Sequence, residues 1–321
     1  MEKRTLGSTE LKTAPIVFGG NVFGWTLNEE ESFEMLDRVT ELGVQTIDTA
    51  DAYSRWVDGN KGGESERLIG RWMKSRGNRD KLTIITKVGS DMGQGGPDIS
   101  AGYIKKAVEE SLKRLQVDTI DLYLTHFDDK KTPVEETMGA YDDLVSAGKV
   151  RYVGASNMSA ERFEASLEAS QKNGLVQYEV FQPEYHLLER NSFESGVGRI
   201  CERENLGVIT YFSLASGFLT GKYRSQSDFE GSSRKPMVEK YLNERGLKVL
   251  AVLDKVAEEH SISQAGVALA WLINSPLVTA PIASATKPHH LDAFREALSV
   301  KLSADDLELL NTVSGKIGAS A

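Results

Sequence analysis

Eight short apolar runs, each followed by a longer amphipathic stretch, recur along the chain, and no other feature narrows its fold as much. The runs are Pro15–Phe18, Gln45–Asp48, Leu82–Lys87, Thr119–His126, Val150–Ser156, Val180–Pro183, Gly207–Tyr211 and Val278–Ile282. Most are rich in Val, Ile, Leu, Tyr or Thr, the makeup of parallel strands covered on both faces. The stretches between them read as helices. In Ile104–Leu115, residues Ile104, Ala107, Val108, Ser111, Leu112 and Leu115 return every three or four positions, with Lys and Glu on the opposite face. Asn28–Glu41, Glu64–Lys74, Pro133–Ala147, Ala160–Gln171 and Gly198–Glu204 behave likewise. Ser159 ahead of Glu161 marks a helix start, and Gly148, Gly174 and Gly207 mark helix ends.

Eight strand–helix units predict an α/β fold of the closed (β/α)8, or TIM-barrel, type rather than an open doubly wound sheet. Residues 3–14 are expected to form a hairpin that caps the barrel floor. Residues 222–260 read as an insert after the seventh strand, polar at first and then helical, and further helix is expected at the C-terminus. A chain of 321 residues suits one such barrel, taken as a single domain over residues 1–321.

The formal net charge is −9, which argues against nucleic acid or an anionic membrane surface as partner. Cys201 is the single cysteine, so neither an internal disulfide nor a paired thiol site can form; on a helical face beside Ile200 it reads as a core thiol. Glu2, Lys3 and Arg4 open the chain without an apolar leader, and runs such as Val267–Ile273 fall short of the roughly 20 residues that span a bilayer. A soluble, cytoplasmic protein acting on a small molecule is expected, with oligomeric partners left open.

In a parallel barrel the strand ends and the loops after them carry the chemistry. The second run ends at Asp48 with Tyr53 five residues on, the third ends at Lys87, and the fourth at His126. Singly, each has an ordinary explanation: a solvated strand end, a packed phenol, a lysine reaching water, a satisfied histidine. Together they suit one reaction. A free phenol ionises near pH 10, and an adjacent ammonium lowers the cost of giving up its proton. A carboxylate holds that ammonium charged, and a histidine can orient a carbonyl oxygen.

The stretches GVQTIDTADAY (Gly43–Tyr53), GESERLIG (Gly63–Gly70), ITK (Ile85–Lys87), VEESLKRLQVDTIDLYLTHFD (Val108–Asp128), GKVRYVGASN (Gly148–Asn157) and YFSLASGFLTGKY (Tyr211–Tyr223) resemble the aldo-keto reductase superfamily, in its order, from residue 3 to about residue 310. The resemblance is to the bacterial members and the potassium-channel β-subunit-like branch. It implies a nicotinamide-dependent reduction of a carbonyl to an alcohol, with the catalytic set Asp48, Tyr53, Lys87 and His126 and with Tyr53 as general acid. It also implies a cofactor site. Ser156, Asn157 and Gln182 would hold the nicotinamide carboxamide, Tyr211 would stack on its ring, and Gly20, Asn21 and Asp48 would lie beside it. Phe212, Ser213, Leu214 and Ser216 would contact the pyrophosphate through their backbone, with Lys222 and Arg234 as charge partners. Ser284, Thr286, Lys287 and His290 would meet the adenosine phosphate, so NADP(H) is expected to be preferred and NAD(H) possible. No metal is expected.

Departures from the family pattern fall in two places. Phe212-Ser213-Leu214 replaces Ser-Pro-Leu after the stacking aromatic, which should reshape the pyrophosphate loop. Ala293 and Phe294 stand where the family often has Glu and Asn, removing the usual adenine contacts. His186 and Trp56 are expected to border the substrate pocket, and His260 and His289 to lie on the surface. Two other readings remain open here. A metal-dependent hydrolase would use Asp48, Asp51, His126 and His186, but the first run ends Phe18-Gly19-Gly20 where such enzymes often have His-x-His. A cofactor-binding regulatory subunit with slow incidental turnover would carry the same residues.

Overall fold

The structure is a computed structural model that describes residues 1–231 and 234–315. Eight strands close into a barrel: β3 (Val17–Gly19), β4 (Thr46–Asp48), β5 (Thr83–Val88), β6 (Ile120–Thr125), β7 (Val150–Ser156), β8 (Tyr178–Gln182), β9 (Gly207–Thr210) and β10 (Ala280–Ala283). All eight pairings are parallel, and β10 returns to pair with β3. A two-stranded antiparallel hairpin, β1 (Arg4–Thr5) and β2 (Lys12–Thr13), precedes them.

Helices fill the crossovers where the periodicity placed them: α1 (Glu29–Glu41), α2 (Glu64–Arg76), α3 (Ala101–Leu115), α4 (Val134–Ser146) and α5 (Ala160–Asn173). Their limits follow local chemistry. Asn28 caps α1 in a capping box with Glu31, and Gly77, in the left-handed region at φ 58°, ends α2 two residues later than expected. The crossover after β8 holds two short helices, α6 (Asn191–Ser195) and α7 (Val197–Arg203). The insert after β9 is polar and irregular at first, then forms α8 (Lys235–Val238) and α9 (Glu244–His260). Helices α11 (Asp292–Ser299) and α12 (Ala304–Ser314) follow β10. Helix α10 (Gln264–Asn274) was invisible to periodicity because it is apolar all round; Ala265 to Leu272 are all buried, against α9 and α11 among others.

Alternation along the strands divides the core in two. Val17, Ile85, Leu122, Leu124, Val180, Ile209, Ala280 and Ile282 fill the barrel, while neighbours such as Ile84 and Tyr123 face the helices. Leu6 and Leu11 of the hairpin join the inner cluster, so the hairpin plugs the floor as expected. His260 is a correction: it is half-buried and pairs with Asp306 of α12 at 2.9 Å, tying α9 to the C-terminal helix. Cys201 is buried. Among the described residues no helix is long and apolar enough to cross a membrane.

The plug depends on Gly7. Its φ is +57°, and a Cβ there would stand 2.6 Å from the Glu179 carbonyl oxygen and 2.7 Å from the Gly207 nitrogen. Because both obstacles are backbone, Gly7→Ala should destabilise the fold by about 2 kcal/mol or more. Urea denaturation checks this, and an unchanged midpoint would contradict the close approach.

Candidate active site

Parallel register brings the ends of β4, β5 and β6 to one rim: Asp48 pairs with Ile85 and Lys87 with Leu124, and His126 follows Thr125. Lys87 emerges inside the barrel because Ile85, two residues earlier, faces inward. The turn after β4, with Tyr53 N donating to Ala50 O at 3.2 Å, folds Tyr53 back over the same point.

Lys87 is wholly buried, and its ammonium donates to Asp48 Oδ2 at 2.7 Å, Thr49 O at 2.8 Å and Tyr53 Oη at 2.8 Å. Its three hydrogens are thereby matched by three acceptors. Tyr53 Oη donates to Asp48 Oδ2 at 3.1 Å. The other Asp48 oxygen, Oδ1, accepts from Gln182 Nε2 at 2.8 Å. Gln182 was expected at the carboxamide; the structure also gives it the task of fixing Asp48.

Protonation follows from burial. Burial pulls Lys87 below the ordinary lysine value, and Asp48 opposes the shift. Burial, and then Asp48, push the Tyr53 hydroxyl well above the ordinary phenol range. Tyr53 therefore keeps its proton at neutral pH, while Lys87, which donates to the same oxygen, favours the phenolate once the proton is given up. A phenol so held still protonates an alkoxide, whose parent alcohol is about as weak an acid as water.

His126 is half-buried, and burial followed by Lys87 holds its imidazole well below the ordinary range, hence neutral. Ser90 Oγ lies 2.8 Å from His126 Nδ1. A serine that donates there leaves the hydrogen on Nε2 as a donor for a carbonyl oxygen. Sequence reasoning passed over Ser90, since a lone serine three residues beyond Lys87 has no spacing to mark it.

These groups open into a cavity of about 1480 Å³, larger than a site for one drug-sized molecule and roomy enough for a dinucleotide with substrate. At one end Trp25, Trp56 and Tyr53 form an edge-to-face series with ring centres 5.6 and 6.0 Å apart, and Phe127 stacks on His126 at 4.7 Å. Trp56 thus borders the pocket as expected. His186 does not: it is fully buried, within 3.3 Å of Glu184 and of Tyr241 from the insert.

The residues expected at the cofactor converge with two exceptions. Ser156, Asn157, Gln182, Tyr211, Phe212, Ser213, Leu214, Ser216, Lys222, Arg234, Ser284, Thr286 and His290 line the cavity, as do Asn21 and Asp48. Gly20 is buried under Ser65, whose hydroxyl donates to its carbonyl at 2.8 Å, and its neighbour Gly19 takes the wall position. Lys287 is exposed at the rim and acts on the wall residue His290 through its charge. His289, expected simply at the surface, also lines the cavity.

The residues expected at the cofactor hold one another in place. Tyr211 Oη donates to Asn157 Oδ1 at 2.8 Å, Asn157 Nδ2 to His126 O at 2.9 Å, and Ser156 Oγ to Gln182 O at 2.8 Å. Ser284 Oγ donates to Asn21 Oδ1 at 2.7 Å, joining β10 to the loop after β3. After β9 the chain departs as its sequence suggested. Phe212 has φ 52° and is 41% exposed on the wall, and Ala215, Ser216 and Gly217 are left-handed at 48°, 56° and 102°. Such turns form concave backbone sites for anions, and strain of this kind collects at functional sites. The guanidinium of Arg234 lies 5.5 Å over Trp25 and donates to Ser216 O at 3.3 Å, so the insert closes onto this loop.

A closed barrel with these groups at its upper rim defines a (β/α)8 protein of the oxidoreductase kind. The Aldo/keto reductase family model matches residues 15–314, and the chain belongs to the aldo/keto reductase family. It is 34% identical over 284 residues to the aldo-keto reductase yakc [NADP(+)] of Schizosaccharomyces pombe, covering 86% of this chain and 80% of that one. It is 32% identical over 321 residues to the uncharacterized oxidoreductase YrpG of Bacillus subtilis, covering 98% and 96%. A probable voltage-gated potassium channel subunit beta of Oryza sativa subsp. japonica is 31% identical over 309 residues, covering 94% and 92%. Nicotinamide-dependent oxidoreduction is the chemistry of the family.

Ser90→Ala removes the partner of His126 Nδ1. Loss of one such hydrogen bond is worth about 1 to 1.5 kcal/mol, so kcat should fall roughly tenfold with cofactor binding unchanged. Steady-state kinetics with fluorescence titration of the cofactor checks this, and full turnover would show that His126 is oriented without Ser90.

Proposed function

We propose that this protein reduces an aldehyde or ketone to the alcohol, with NADPH as hydride source and Tyr53 as general acid. The observation that carries the reading is the buried Lys87 ammonium, shared between Asp48 and Tyr53 at the floor of the cavity. When bound, the nicotinamide supplies the hydride. The protein's residues manage the oxygen. His126 Nε2–H orients the carbonyl and Tyr53 Oη turns its hydrogen from Asp48 to the developing alkoxide. Lys87, already in contact with Tyr53 Oη, then stabilises the phenolate. Asp48, held by Gln182 on its other oxygen, keeps Lys87 charged throughout. The aromatic end of the cavity would take the rest of the substrate. A cofactor-binding regulator, as the name of the rice relative suggests, would share the site but not need turnover; assay against a panel of aldehydes, ketones and sugars separates the two readings.

Tyr53→Phe should leave the fold and cofactor affinity intact and lower turnover by roughly 10² to 10⁴. Lys87→Met should also lower turnover and displace the alkaline limb of the pH profile, and Asp48→Asn should act in the same direction more mildly. Near-normal turnover of Tyr53→Phe removes the proposed acid, and an Asp48→Asn defect far exceeding that of Lys87→Met reverses the ordering.

The preference for NADPH rests on Lys222 and Arg234 on the wall and Lys287 at its rim, a local positive field in a protein of net charge −9. A charge-assisted contact contributes about 1.5 to 3 kcal/mol, roughly ten- to a hundredfold in affinity. NADPH should therefore bind at least about tenfold more tightly than NADH, the margin shrinking with salt and in Lys287→Ala. Titration of both cofactors at two ionic strengths checks this; equal dissociation constants in the wild type contradict it.

A further inference from the structure

Behind β5, on the side facing the helices, lies a second buried group of ionisable residues that hydride transfer does not use. Asp51 is 2% exposed and Glu66 is wholly buried. Glu66 is well partnered: Thr86 Oγ1 donates to it at 2.7 Å and Arg114 Nε at 2.5 Å, while Arg114 Nη2 is steadied by Ser111 at 3.0 Å. Asp51 is not. Among the described residues it has no ion pair, and its Oδ1 is buried without a hydrogen-bond partner, as is the hydroxyl of Tyr123 on β6. Arg114 is bonded to Glu66 and reaches Asp51 only through its charge. Yet Asp51 is tied to the catalytic floor, since its backbone N–H donates to the carbonyl of Lys87 at 3.3 Å. A buried carboxyl with an empty oxygen, beside another carboxylate and one strand away from the essential ammonium, is a poor structural choice. It suits a charge that changes.

We propose that Asp51 is a positioning residue for the catalytic floor: its buried, unpartnered carboxyl is a second anion for Lys87, besides Asp48, and keeps that ammonium charged beside Tyr53. Glu66 of α2, Arg114 of α3, the backbone N–H of Ala52 and Lys87 of β5 act on it, and its charge acts in turn on Tyr103 of α3, Tyr123 of β6 and Tyr141 of α4. Burial, then Glu66, push the Asp51 carboxyl up to about 8, against a weaker pull from Arg114 and Lys87. In return Lys87, drawn down by burial, is held up by Asp48 first and then by Asp51. As pH rises through about 8, the lysine that burial disposes to lose its proton gains a neighbouring negative charge. The inference rests on the reading of Lys87 as the partner of Tyr53.

Asp51→Asn keeps the shape and deletes the ionisation. An acid raised from its ordinary value near 4 makes the wild type less stable as pH climbs from about 4 to about 8, because the unfolded chain ionises first. The wild-type unfolding constant should therefore rise relative to that of Asp51→Asn, by up to tenfold per pH unit in this window, and level off above it. The coupling to Lys87 is read from its ¹⁵Nζ resonance, assigned by its absence in Lys87→Met. In Asp51→Asn the Lys87 titration should move down by about one pH unit. The alkaline limb of kcat should follow it, with KM unchanged. If the amide is not accommodated, Asp51→Ala repeats all three measurements. An unshifted Lys87 titration overturns the proposal whether or not the protein turns over a carbonyl, so absence of turnover alone bears on the enzymatic reading instead. A shifted titration with an unmoved kcat limb also overturns it, by showing that the charge does not reach the chemistry.

Discussion

The burial of the Lys87 ammonium is the constraint on which the rest of the site depends. A charge removed from water is costly unless its hydrogens find acceptors, and here Asp48, the Thr49 carbonyl and Tyr53 take all three. Each acceptor is then committed. Asp48 must end β4, Tyr53 must fold back from the following turn, and Gln182 must come across from β8 to steady the remaining carboxylate oxygen. The same burial sets the protonation of the neighbours, leaving Tyr53 a phenol and His126 a neutral imidazole. A phenol held against ionisation and a neutral donor beside it suit the protonation of an alkoxide.

Around that floor the barrel divides its labour by height. The hairpin and the aliphatic interior close the bottom, so the strands can end in polar groups at the top without opening a channel through the molecule. At the far end of the cavity Lys222 and Arg234 gather positive charge that the surface as a whole lacks. The left-handed run at Ala215–Gly217 and the stacking of Arg234 on Trp25 link this end to the aromatic wall near Tyr53. The two ends of the cavity are thus linked through one loop and one insert.

Much of this could be read before any coordinates. The strand order, the floor plug, the crossover helices and the four rim residues follow from period, length and motif. Other features could not be read, for identifiable reasons. Helix α10 carries no amphipathic stripe because it is buried on all sides. Ser90 and the Gln182–Asp48 bond depend on where loops and strands meet across the barrel, 36 and 134 residues apart. Gly20 and Lys287 were placed by resemblance at the cofactor, but a neighbouring glycine and a histidine take those stretches of wall.

The sequence by itself determined the closed parallel barrel, because eight apolar runs spaced by helices have few other ways to bury both faces of every strand. It also determined which ionisable residues sit at strand ends, since a strand's length and phase decide where its last side chain emerges. The tertiary structure alone decided their electrostatics. How far the Tyr53 hydroxyl rises above the ordinary phenol range depends on how much water remains, and burial is the first cause of that rise. Asp51, two residues before Tyr53, entered the sequence reading only as a ligand of the metal-dependent alternative. Packing placed it beside Glu66 with an oxygen left unpaired. Desolvation and distance are properties of the folded neighbourhood, and no local pattern in the chain encodes them.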